Sequence, residues 1–118
     1  MSNEEISRKI AVIFATDLVG YSKHMEKDEN ATLRGLRECN KIIEPLIKKQ
    51  KGRIFNTGGD SVFAEFPSAV AAVDTAVEFQ KQIKARNDKD TTDVKLEYRI
   101  GVNTVSYTHL TLPTMMSV

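Results

Sequence analysis

"RIFNTGGDSVFAEF", residues 53–66, decides the fold. A basic residue leads into a short apolar run, two glycines and an aspartate follow, and a second apolar run closes the segment. The pattern reads as strand, tight turn, strand. Gly58 and Gly59 let the backbone turn sharply and approach a ligand closely. One carboxylate, Asp60, sits at the tip. A lone acid on a glycine hinge between two strands calls for a reason.

Upstream, "ENATLRGLRECNKIIEPLIKKQKG", residues 29–52, sets Leu33, Leu36, Cys39, Ile43, Leu46 and Ile47 on one helix face. Pro45 removes an internal hydrogen bond, which predicts a kink there, and the lysines at 48, 49 and 51 with Gly52 mark the end. Downstream, Pro67 and a Ser68 N-cap open a second helix, expected to turn Val70, Val73, Val77 and Ile83 inward. "NDKDTTD", 87–93, is a polar loop, and "VKLEYRIGVN", 94–103, alternates as a strand. At the other end "KIAVIFATD", 9–17, is a strand expected to be buried on both faces, followed by a short polar helix carrying His24. Phe14, Phe55, Phe63 and Phe66 are expected in the core.

The element order is β-α-β-β-α-β. It predicts an α+β, ferredoxin-like split βαβ fold, with an antiparallel sheet and both helices on one face.

The chain has 118 residues, the size of one domain, and is 41% hydrophobic and 28% charged. Seventeen basic against sixteen acidic residues leave a net charge of +1. That balance gives no reason to expect nucleic acid or an anionic membrane as the main partner. "MSNEEISRKI" has no apolar signal core, and no apolar run approaches a membrane span. The single cysteine, Cys39, excludes an internal disulfide and reads as a small core residue in a reducing compartment. A cytoplasmic chain, or the cytoplasmic part of a longer one, is expected.

Residues 104–118, "TVSYTHLTLPTMMSV", fit nothing before them. They hold no charged residue, and the apolar pattern of the preceding strand stops at Asn103. "VSYTHLTLPT", 105–114, resembles the conceptual translation of a transposase-type sequencing adapter. The expected organisation is a polar leader over 1–8, a partial domain over 9–103 and a foreign tail over 104–118, with the native protein continuing past Asn103.

A second acid matches Asp60. The first strand ends at Asp17, 43 residues earlier. In a split βαβ sheet the first strand and the hairpin are neighbours, so the two acids can lie side by side. Two carboxylates at one sheet edge repel unless a cation lies between them. Mg²⁺ is held by one or two carboxylates and leaves the rest of its shell to water and phosphate oxygens. Two such ions can clamp the attacking and leaving oxygens of a phosphoryl transfer. Gly20 and the amides of Leu18 to Ser22, ahead of the short helix, could receive polyphosphate. The plainer reading is that each acid is only a turn or cap residue.

Three segments together, "VIFATDLVGYSKHMEKDE", "GRIFNTGGDSVFAEFPSAVAAV" and "RIGVN", resemble the class III adenylate/guanylate cyclase catalytic domain from about Arg8 to Asn103. The resemblance implies conversion of a nucleoside triphosphate to a 3′,5′-cyclic monophosphate and pyrophosphate. It implies Asp17 and Asp60 as metal ligands for two Mg²⁺ or Mn²⁺ ions, with the Leu18 carbonyl as a further ligand. Leu18, Val19, Gly20, Tyr21, Ser22 and Gly59 match the segments that meet the triphosphate. It also implies a homodimer with active sites at the interface.

Two departures stand out. Asn56 occupies the position where the family often has an adenine-reading lysine, which leaves ATP against GTP open. The family's later base-recognition residue, asparagine and arginine have no counterpart in residues 104–118. Losing such stabilisers costs about 10²–10³ in rate each, so the chain as written is expected to be inactive. The alternatives are a non-catalytic, nucleotide-binding or dimerising cyclase-like module, and a diguanylate cyclase. Ser61 speaks against the second, because that family usually has a glutamate there.

Overall fold

The β-branched run at the start forms β1 (Ile6–Leu18), and the glycine turn joins β2 (Arg53–Gly58) to β3 (Ser61–Phe66). The structure, a computed structural model, describes residues 6–89 and 95–110, with side chains for 10–89 and 95–106. The polar segment after β1 forms α1 (Tyr21–Lys27), followed by α2 (Glu29–Lys49), α3 (Ala69–Lys89) and β4 (Tyr98–Leu110). Every neighbouring pair in the sheet is antiparallel, in the order β2-β3-β1-β4. The split βαβ arrangement expected from the element order is present.

The core lies between one sheet face and the long helices. Val12, Phe14, Leu18, Val62, Ala64 and Phe66 from the sheet pack with Leu36, Cys39, Ile43, Ile47, Phe79 and Ile83 from α2 and α3. Aromatic contacts tie it together: Phe14 meets Phe66 at 5.3 Å, and Phe79 meets Tyr98 edge-on at 5.2 Å. Only one face of β1 is fully covered. Ile13, Ala15 and Asp17 on the other face are half-buried, since the core helices all pack on the first face.

Local chemistry fixes the helix ends. Asp28 caps α2 by accepting from the Ala31 amide at 3.0 Å, and the Thr32 hydroxyl donates to the carbonyls of Asp28 and His24, joining α1 to α2. At the far end the Gly52 amide donates to the Ile47 carbonyl and the Lys51 amide to the Lys48 carbonyl, a Schellman motif. The left-handed residue there is Lys51, at φ 63°, not the expected Gly52. Gly52 matters through space: a Cβ on it would lie 2.8 Å from Ile47 and from the Phe66 ring. Ser68 caps α3 as expected, accepting from the Ala71 amide at 3.1 Å. α2 runs through Pro45 without a break in the helix.

Three further expectations are corrected. α3 buries Ala71, Ala72, Thr75, Phe79 and Ile83, whereas Val70, Val73 and Val77 are 70%, 48% and 50% exposed. At the helical repeat the three valines and the buried set lie on nearly opposite sides of α3, and of the expected stripe only Ile83 belongs to the buried side. Alanines allow close approach to the sheet and Phe79 fills the space on Tyr98, so bulk at one position outweighs three valines. Phe55 is 46% exposed rather than in the core, and Phe63 is half-buried on the uncovered sheet face. The last strand spans 98–110 rather than 94–103. Part of the expected polar loop, residues 90–94, lies outside the described residues.

Candidate metal and nucleotide site

The antiparallel sheet brings the end of β1 and the tip of the β2–β3 hairpin to the same place. Thr16 is the partner of Val62, and Gly58 pairs with Ser61 to close a two-residue turn of Gly59 and Asp60. Gly59 adopts φ 53°, the positive value that a glycine-first hairpin turn demands. The Asp60 carboxylate then accepts the Leu18 amide at 3.1 Å. Leu18 is almost fully buried and follows Asp17 directly, so the two acids lie at one end of the sheet.

Asp17 has a partner that sequence reasoning missed. Arg99, its cross-strand neighbour on β4, grips it through two hydrogen bonds, Nε to Oδ1 at 3.0 Å and Nη2 to Oδ2 at 2.8 Å. Hydrogen bonding to Asp17 and its charge raise the guanidinium's pKa, and Asp60 adds to the effect. Arg99 thus lies in the field of both carboxylates and supplies the counter-charge that two adjacent acids need. The signal was present: in an antiparallel strand, the basic residue of "YRIGVN" falls opposite the acid that ends β1.

The loop after Asp17 is partly committed. The Leu18 amide is taken by Asp60 and the Val19 amide by the Glu97 carbonyl at 2.8 Å. This narrows the polyphosphate-receiving backbone expected over 18–22 to Gly20, Tyr21 and Ser22, the first-turn amides of α1. Gly20, at φ 69°, has nothing within 4 Å of where a Cβ would lie, so the backbone is open to approach. The Tyr21 side chain packs on the core and Ser22 is exposed.

Asn56 lies farther along the hairpin. Between Ile54 and Asn56 the register shifts by one residue, which makes Phe55 the extra residue of a β-bulge. Asn56 is exposed and pairs with Phe63 on the sheet face away from the helices. Four residues of strand place it about 13 Å at most from Asp60.

The donor set suits Mg²⁺ or Mn²⁺ better than a cation needing a full protein cage. Among the described residues no group of three or more His, Cys, Asp or Glu side chains could hold a metal. Two carboxylates and a carbonyl leave half of an octahedral shell to water and phosphate. The site is an open sheet end. Two surface hollows, of about 650 Å³ between α2 and α3 and about 470 Å³ beside Asn87 and Glu97, include neither Asp17 nor Asp60.

Burial favours the protonated form of two groups near the site. Burial pushes the Cys39 thiol up, and burial with the neighbouring Cys39 and Asp60 pushes the Tyr98 hydroxyl far above its ordinary range. The Tyr98 hydroxyl faces the thiol but makes no hydrogen bond of regular geometry, and the buried Thr16 hydroxyl makes none either.

Comparison with known proteins agrees with this fold. The chain is 41% identical over 104 residues to "Putative adenylate cyclase 3" of Rhizobium meliloti, a match covering 87% of the chain. The chain is a homologue of the class III adenylate/guanylate cyclase domains. Among solved structures, an adenylate/guanylate cyclase/hydrolase from Silicibacter pomeroyi matches 89% of this cyclase homologue at 31% identity and TM-score 0.75. The adenylyl cyclase CyaB from P. aeruginosa matches 88% at 28% identity and TM-score 0.71. The cyclase homologue spans 18% of the Rhizobium protein and 62% and 60% of the two structures' chains. No protein-family model matches it.

Proposed function

We propose that the parent protein converts a nucleoside triphosphate to its 3′,5′-cyclic monophosphate and pyrophosphate in the cytoplasm. The observation that carries the reading is the Asp60 carboxylate on the Leu18 amide, which sets it beside Asp17 at one sheet end in a cyclase homologue. Two Mg²⁺ or Mn²⁺ ions, held by Asp17, Asp60 and the Leu18 carbonyl, would neutralise the triphosphate and favour attack of the ribose 3′-oxygen on the α-phosphorus.

The chain's own residues prepare that reaction. Asp60 fixes the loop by holding the Leu18 amide. Gly20 opens the backbone so that the amides of Gly20, Tyr21 and Ser22 can face phosphate, and Gly59 lets the hairpin tip come close. Arg99 holds Asp17 oriented until a cation takes its place. Asn56 offers both a donor and an acceptor to a base edge and carries no charge, so it suits ATP or GTP. An open site of this kind is completed by a second subunit, and we assign a homodimer to the parent.

The 118-residue chain alone turns over no nucleotide on this reading. Residues 104–118 carry neither asparagine nor arginine to stabilise the transition state, and they derive from adapter read-through. The Arg99 grip on Asp17 also favours a second reading, a cyclase-like module that binds nucleotide without catalysis. Titrating Mn²⁺ with ATP or GTP against the parent protein separates the two. An enzyme releases pyrophosphate and stops with Asp17→Ala or Asp60→Ala; a binder saturates without release. Turnover by residues 1–103 alone would contradict the inactivity of the fragment.

A further inference from the structure

We propose that Arg99 is a built-in competitor for the metal site: its guanidinium holds the place on Asp17 that a cation takes, and so sets how much divalent cation is needed before both acids are engaged. The inference rests on the cyclase reading of Asp17 and Asp60 as metal ligands. The two acids are unequally free. Arg99 covers both oxygens of Asp17, Nε on Oδ1 at 3.0 Å and Nη2 on Oδ2 at 2.8 Å. Asp60 uses one oxygen, Oδ2, on the Leu18 amide at 3.1 Å, and among the described residues no hydrogen bond reaches the other. An arriving cation meets an open carboxylate at Asp60 and a covered one at Asp17.

The grip can be broken and remade. Both side chains lie at the surface, Arg99 69% and Asp17 42% exposed. An exposed ion pair shifts an equilibrium by only about fivefold, so the competitor raises the cation requirement without closing the site. Register, not packing, brings the two together. Arg99 stands directly opposite Asp17 on the β1–β4 ladder, and the pair re-forms whenever the site empties.

Asp60 couples the two acids. Its charge adds to the field that holds the guanidinium. Neutralising Asp60 with a cation removes that contribution and sets a positive charge near Arg99, which loosens it from Asp17. A monovalent ion brings no more charge than the guanidinium and lacks its two-pronged fit to a carboxylate. A divalent ion brings twice the charge.

Mn²⁺ titration of the 118-residue chain, read by the electron paramagnetic resonance of free Mn²⁺, tests it. Arg99→Gln keeps a polar side chain and loses both the charge and the grip, and Mn²⁺ binding is expected to tighten about fivefold. Arg53→Gln removes the same charge from the Arg53–Glu65 pair at the open end of the β2–β3 hairpin and leaves the affinity unchanged. A second measurement needs no variant: the Arg99 Nε proton exchanges slowly with water in the metal-free chain, and saturating Mg²⁺ is expected to speed that exchange. Equal or weaker Mn²⁺ binding by Arg99→Gln, an equal gain from Arg53→Gln, or an Nε proton that stays protected in Mg²⁺ overturns the competitor and leaves the metal site standing. Mn²⁺ binding that Asp60→Asn leaves unchanged overturns the cyclase reading itself, and the competitor with it.

Discussion

Replacing Asp60 separates what its carboxylate does for the fold from what it does for a cation. Its oxygen accepts the Leu18 amide at 3.1 Å, and Leu18 is 2% exposed. Asp60→Ala leaves that amide without its acceptor, at a cost of about 1–3 kcal/mol for an unsatisfied buried group. Asp60→Asn keeps an acceptor oxygen of the same reach and loses only the charge. At about 2 kcal/mol, and about 4 °C per kcal/mol for a domain of this size, Asp60→Ala lowers the melting temperature by about 8 °C. Asp60→Asn lowers it by about 2 °C or less. Thermal unfolding by circular dichroism measures both, and amide exchange at Leu18 reports the bond itself. Both variants lose Mn²⁺ binding, so Asn is the substitution that removes the chemistry and spares the fold. Equal destabilisation by Asn and Ala would refute the reasoning, because charge rather than acceptor geometry would then hold the turn.

Lys51 holds a left-handed conformation at φ 63°, so Lys51→Gly relieves strain and raises stability by about 1 kcal/mol in denaturant titration. Tyr98→Phe removes a buried hydroxyl that lacks a regular hydrogen bond and stabilises by about 1 kcal/mol. The Tyr98 hydroxyl titrates above the free tyrosine range, so above about pH 10 the unfolded chain loses that proton and the native chain keeps it. Its contribution is therefore complete below about pH 10 and falls as pH rises further; Tyr98→Phe flattens that alkaline decline in melting temperature. Phe79→Ala costs about 3–5 kcal/mol, whereas Val73→Asp stays within about 0.5 kcal/mol; similar losses for the two would show that α3 is rotated from the arrangement described.

The sheet and both acids were legible because they rest on short-range signals. The glycine pair fixes the hairpin, and alternation with an acid at a strand end fixes β1. The inward face of α3 was not legible, because valines outrank alanines in hydropathy while the sheet needs small residues for close approach and one aromatic to fill the gap. The bulge at Phe55 depends on how the hairpin closes over Gly59 and Asp60, which periodicity does not report. Arg99 was missed because its role comes from a register spanning 82 residues; pairing the "YRIGVN" strand against "FATDL" would have found it. The extent of β4 past Asn103 follows from backbone pairing with Ile6–Val12, which depends little on side-chain identity.

The central claim is that Asp17 and Asp60 together hold divalent cations against a triphosphate. Adding Mn²⁺ stepwise to the isotope-labelled chain and following amide line broadening by NMR tests it most directly. The account predicts that Leu18, Gly20 and Asp60 broaden first, and that Asp17→Asn with Asp60→Asn abolishes the effect. Broadening centred elsewhere, such as on the acidic positions of α2 or α3, or broadening unchanged in the double variant, would contradict it.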